Sequence, residues 1–134
     1  MKKCLALILV LCCILTLTAC GGNVKGVQII NADSEVYTEA EIDDAIDTAI
    51  DYFKKEFSGC TLTEITYIGD EENSDYQEFA DRNGADDVIV LVSSFDVDAS
   101  GGDGSLNANS TYTNWKWILA RGKNGRWEHV DHGY

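Results

Sequence analysis

The sequence predicts a single α+β domain, a long N-terminal helix packed on a curved four-stranded antiparallel sheet, with a second short helix. Three observations predict it. An apolar stripe recurs at three- and four-residue steps from Ile42 to Phe57, an unbroken apolar run fills Val88–Val92, and two strand-like runs flank Asn124-Gly125. No proline interrupts any of them.

Residues 1–19 stand apart from that domain. Met1-Lys2-Lys3 is a positive start, Leu5–Leu17 is almost wholly apolar, and Leu17-Thr18-Ala19 leads with small residues into Cys20. Charge, apolar run and cleavage site in that order read as a secretory signal. The run is too short to span a bilayer, which takes about 17–25 residues. Leu17-Thr18-Ala19-Cys20 resembles the lipobox of bacterial lipoproteins, which implies that the Cys20 thiol receives a diacylglyceryl group and becomes the new N-terminus. Two acyl chains anchor stably where one binds marginally. The expected location is therefore the extracytoplasmic face of the cell membrane, with the membrane as a partner through the lipid.

Residues 20–36 read as the lipidated N-terminus and a flexible tether, broken by Gly21, Gly22, Gly26, Asn31, Asp33 and Ser34, with a short edge strand at Val27–Ile30 as a weaker alternative. The domain is expected over 37–134. Thr38 and Glu41 have capping-box spacing, with Tyr37 and Ile42 flanking as a hydrophobic staple. Ile42, Ala45, Ile46, Ala49, Ile50, Phe53 and Phe57 then form the buried stripe, and Gly59 stops the helix. Cys60–Ile68 reads as a strand whose alternation slips between Leu62 and Ile65, as a bulge would make it. Asp70–Asn83 reads as one short helix boxed by Ser74 and Gln77. Val88–Val92 reads as a central strand covered on both faces. A type I′ turn at Asn124-Gly125 sets Arg121 opposite Glu128, Leu119 opposite Val130 and Trp117 opposite His132.

Charge narrows the partners. With 10 basic and 23 acidic residues the formal net charge is −13, which disfavours nucleic acid and anionic headgroups and admits a cationic or metal-ion ligand. Once Cys20 carries lipid and the leader is removed, Cys60 has no disulfide partner and reads as a small buried hydrophobe.

Two clusters could carry chemistry. Asp96, Asp98 and Ser100 put oxygen ligands at alternate positions before Gly101, like the first half of a calcium loop, with Asp103 a further candidate ligand although an apolar residue is usual at its position. Asn107 stands where a bidentate Glu belongs, and an acidic turn leaving a strand explains the same letters. In Glu128–His132 a straight strand points His129 and His132 to opposite faces, so they cannot share one metal. No nucleophile elbow or phosphate loop is present, so no enzyme and no cofactor is expected, calcium excepted; a small hydrolase using His129 or His132 is the last alternative. Trp115 and Trp117 share a face, with Trp127 on the opposite one; that pair is core, or the anchor of a ligand-binding groove.

Val88–Leu119 and Trp127–Tyr134 (WEHVDHGY) resemble a small extracytoplasmic domain of clostridial and related Gram-positive bacteria. Similar domains occur as lone lipoproteins and appended to membrane metallopeptidases of the β-lactam-sensor type. The resemblance covers Tyr37–Tyr134 and implies a surface binding or sensing role, with a small ligand or surface protein as partner and no activity to carry over. The strand–helix order also resembles cystatin-like and nuclear-transport-factor-like rolls, an analogy that names no ligand.

Overall fold

The computed structural model describes residues 21–30, 32–123 and 125–134; the expected signal peptide, Cys20, and Asn124 of the expected turn lie outside them. The chain is α+β. Its elements run β1 (Gln28–Ile30), α1 (Glu39–Glu56), β2 (Cys60–Tyr67), α2 (Asp70–Ser74), α3 (Gln77–Arg82), β3 (Asp87–Val97), β4 (Thr111–Arg121) and β5 (Glu128–Gly133). The sheet has five strands in sequence order, not four, and it is mixed: β1 pairs parallel to β2, and the remaining pairs are antiparallel.

The extra strand belongs to the stretch expected as a tether. From Gly22 onward that stretch is bonded into the domain. The Gly22 amide donates to the Lys54 carbonyl at 3.0 Å, and Asn23 exchanges bonds of 2.8 Å with Cys60 and Leu62. A Cβ on Gly22 would lie 2.5 Å from the Phe53 carbonyl oxygen, and one on Gly21 would lie 2.2 Å from that of Lys54. Glycine is what lets the chain lie flat on the end of α1. Further on, Asp70 accepts from the Ser34 hydroxyl at 2.6 Å and the Glu35 amide at 2.8 Å. The expected flexible tether is instead bonded into the domain through backbone groups of Lys54, Cys60 and Leu62 and the Asp70 carboxylate, and the alternative edge strand at Val27–Ile30 is observed as β1.

Helix α1 starts in a capping box. The Thr38 hydroxyl accepts from the Glu41 amide, and the Glu41 carboxylate accepts from the Thr38 amide. Its apolar stripe packs on the odd-numbered side chains of β3, Ile89, Leu91, Phe95 and Val97. The even-numbered Val88 and Val90 join Ala80 and Ile118 in a second cluster against α3. The central strand is thus buried on both faces.

The expected single helix over Asp70–Asn83 is two short ones, broken at Asp75 and Tyr76. Ser74 does not box a helix start; its hydroxyl donates back to the Glu71 carbonyl. Asn73 governs this region instead. Its amide donates to the Val88 carbonyl at 3.0 Å and accepts from the Val90 amide at 2.7 Å, serving β3 where β2 has ended.

Each antiparallel ladder carries one register shift. Thr63 is extra in β2, between Leu62 and Glu64, where the alternation slips. In β4 the residues between Tyr112 and Trp115 outnumber those facing them, and Asn114 takes a left-handed φ of 56° that asparagine tolerates. Val130 is extra in β5. That last bulge corrects the hairpin. Trp117 does face His132, but Leu119 faces His129 and Glu128 faces Ala120. Arg121 therefore pairs with Asp87 at 3.1 Å and with Glu41, and it stacks 4.3 Å over Trp127. Trp127 precedes β5 and turns into the α1 core, its indole N–H donating to the Glu41 carbonyl at 3.1 Å, so it is not on the face opposite Trp117.

Leu119→Ala is expected to cost about 2–5 kcal/mol of unfolding free energy. Asn73→Ala, which strands buried backbone groups of β3, is expected to cost about 1–3 kcal/mol. Exposed Glu78→Ala should stay within about 0.5 kcal/mol. Denaturant titration compares them; an Asn73→Ala loss no larger than that of Glu78→Ala would remove the amide from its assigned role.

Candidate functional site

The C-terminal end of α1, the Phe57–Cys60 connection, the loop from Gly102 to Leu106, Trp115 of β4 and His132 of β5 enclose a cleft of about 280 Å³. Local sequence builds each wall. Gly59 takes φ 73° and passes under the acidic loop so closely that a Cβ there would lie 2.5 Å from the Ser100 hydroxyl. Gly101 and Gly102, at φ 72° and 67°, turn the loop back, and the Leu106 amide closes it on the Gly101 carbonyl at 3.2 Å.

Aromatic rings make the floor. Phe57 meets Trp115 edge-on at 6.1 Å and His132 at 5.5 Å, and Trp115 stacks on His132 at 5.8 Å. Tyr52 lies flat on His129 with ring centres 3.9 Å apart. The two tryptophans singled out by sequence divide their work. Trp117 is fully buried core, its indole N–H donating to the Ser93 hydroxyl at 2.8 Å. Trp115 lines the cleft, and its buried indole N–H finds no acceptor among the described residues.

The histidines overturn their expected separation. Because Val130 is bulged out, His129 and His132 fall on one face, and Nε2 of His129 lies 2.9 Å from Nδ1 of His132 in a shared hydrogen bond. Burial pushes both imidazoles below the ordinary histidine value, and His132 adds to the effect on His129. Cys60 also lines the cleft. Burial, then the charges of Asp98 and Asp103, push its thiol up to about 11, so it stays protonated at neutral pH.

The acidic loop spends its carboxylates on itself. Asp98 accepts from the Ser100 amide and hydroxyl, Asp103 from those of Ser105, and Asp96 from the Thr111 hydroxyl at 2.7 Å. These bonds hold Asp98 and Asp103 below the usual carboxylate range. Ser100 is likewise engaged with Asp98. Among the described residues no three His, Cys, Asp or Glu side chains gather where they could hold a metal ion. A wider groove of about 550 Å³ lies by Asp44, Asp47, Asp51 and Trp127, but its Arg121 is already paired with Glu41 and Asp87.

Sequence reasoning missed Tyr52 and Phe57 as cleft walls, having assigned Phe57 to the core stripe alone. The pairing of the histidines did have a signal, their three-residue step within a strand.

The histidines make stability depend on pH. Their folded-state pKa values lie below the unfolded value of about 6.5, so the unfolded chain takes up protons that the native state refuses. The contribution is full above that value and is lost as pH falls through the folded values. The denaturant midpoint is expected to be lower at pH 5.5 than at pH 7.5, with a smaller difference in His129→Gln. Equal midpoints in the wild type would contradict this burial.

No family model, no curated protein and no solved structure matches this chain, so the cleft is interpreted from its own geometry.

Proposed function

We propose that the chain is a lipoprotein held on the extracytoplasmic face of the cell membrane through Cys20, and that its domain is a non-catalytic binding or sensing module whose ligand seat is the aromatic cleft. One observation carries the binding role. Trp115 stands with Tyr52, Phe57 and His132 around one small space, an aromatic lining of the kind that anchors ligands and partners. The anchoring role is supported by the leader ending in Leu17-Thr18-Ala19-Cys20.

Binding without catalysis is supported by the state of the reactive groups. The Cys60 thiol is held protonated, and the ring nitrogens Nε2 of His129 and Nδ1 of His132 are turned on each other. Among the described residues neither has the partner that activates a nucleophile. The fold is read as a roll of the cystatin-like or nuclear-transport-factor-like kind, supported by α1 lying along one face of the sheet. The resemblance of Val88–Leu119 and Trp127–Tyr134 to surface domains of Gram-positive bacteria supports this role, and the acidic composition points away from nucleic acid.

Two measurements test it. In a Gram-positive host the wild type should carry lipid label and sediment with membranes, whereas Cys20→Ala should lose the label and the retention; a variant still held after a salt wash would overturn the anchoring. A fragment screen read on the indole N–H resonances of the full chain in nonionic detergent should move Trp115 and spare Trp127, whose N–H is held by Glu41. Hits that never touch Trp115 would remove the cleft as the ligand seat.

A further inference from the structure

We propose that the cleft takes a small organic cation, a quaternary or alkylated ammonium group, held against the aromatic walls Trp115, Tyr52 and Phe57 and beside Glu56 and Asp103. This rests on the cleft being the ligand seat and adds the chemistry of what sits there.

Four features converge on positive charge. Aromatic faces attract a cation through the ring quadrupole, tryptophan most of all, and three aromatic side chains besides His132 line one small space. Helix α1 is 18 residues long and delivers its C-terminal end, the negative pole of its dipole, to the cleft through Glu56 and the cap Phe57. Glu56 makes no ion pair among the described residues, and Asp103 engages Ser105 through Oδ1. Among the described residues no lysine or arginine lines the space; Lys54 and Lys55 of the last helical turn are exposed and outside the lining.

Other ligand classes fit less well. An anion would face two carboxylates and a helix C-terminus. A metal ion would need three convergent ligands, which the described residues do not offer. At about 280 Å³ the cleft suits a headgroup-sized ligand.

Choline and its uncharged isostere 3,3-dimethylbutan-1-ol separate charge from shape. Titrated into the full chain in nonionic detergent and read by tryptophan fluorescence and the Trp115 indole N–H resonance, choline should saturate. The isostere should bind at least about tenfold more weakly, the scale of a desolvated cation–π contact. Trp115→Ala should abolish the choline response. Glu56→Gln, an exposed change that leaves the core untouched, should weaken choline several-fold and leave the isostere unchanged. Mixed micelles of phosphatidylcholine distinguish the source: competition with free choline assigns a lipid headgroup, and none assigns a free cation. Equal binding of choline and isostere would overturn the cation while keeping the cleft as a ligand seat. No choline response, in a protein whose Trp115 resonance still answers neutral fragments, would overturn it as well. If Trp115 answers no ligand of any charge, both readings fall together.

Discussion

A strand buried on both faces must find a partner for every backbone group it carries, and β3 sets this requirement for the whole domain. Its two neighbours supply most of the partners, but β2 ends at Tyr67, opposite Leu91, while β3 begins at Asp87. The uncovered stretch is served by side chains. The Asn73 amide imitates a strand's own donor and acceptor, and the Tyr37 hydroxyl donates to the Val88 carbonyl at 2.7 Å. An unpaired buried group would cost about 1–3 kcal/mol, so these contacts decide where the helices dock. Asn73 ties α2 to the strand, and Tyr37 ties down the chain just before α1. Both helical layers are therefore positioned by the needs of one strand.

The cleft follows from where the sheet departs from regularity. The extra residues of β2 and β4 both lie beside Ser94, whose carbonyl accepts from the Thr63 hydroxyl at 3.0 Å. Bulges bend and twist the strands that carry them, so the two act on the sheet at one height. The third, at Val130, brings His129 onto the face that His132 already shares with Trp117, and sends Val130 to the opposite cluster. Without it His129 would point away from Tyr52 and from His132.

The same local signal was legible in one strand and overlooked in another. In β2 the buried residues step from Cys60 and Leu62 to Ile65 and Tyr67, and that break in parity marks the bulge in the letters alone. In β5 the break falls between two histidines, which serve as well on a wet face as on a buried one, so a straight strand fitted equally well. The Asn124-Gly125 signal suggested the tightest turn, yet the six residues between β4 and β5 let Trp127 swing into the α1 core, and indole burial outweighed turn economy. Trp115 and Trp117 were rightly placed on one face, but burial depth along a strand is set by what covers it. The covering loop was read for its acids, and its glycines were what folded it over the cleft. The tether failed for a related reason: polarity suggested solvent, while the partners at Lys54 and Cys60 are invisible in a linear reading.

The two glycines pressed against the end of α1 fix more than a backbone path. Gly22 is bonded to Lys54 and Asn23 to Cys60, so the docked chain begins beside the cleft. On the proposed anchoring, a lipid-bearing Cys20 stands at most about 7 Å of extended chain from Gly22. A leash that short gives the domain no reach. It would keep the C-terminal end of α1 close above its own acyl chains. Its encounters would then be two-dimensional, limited to molecules that drift along the bilayer surface.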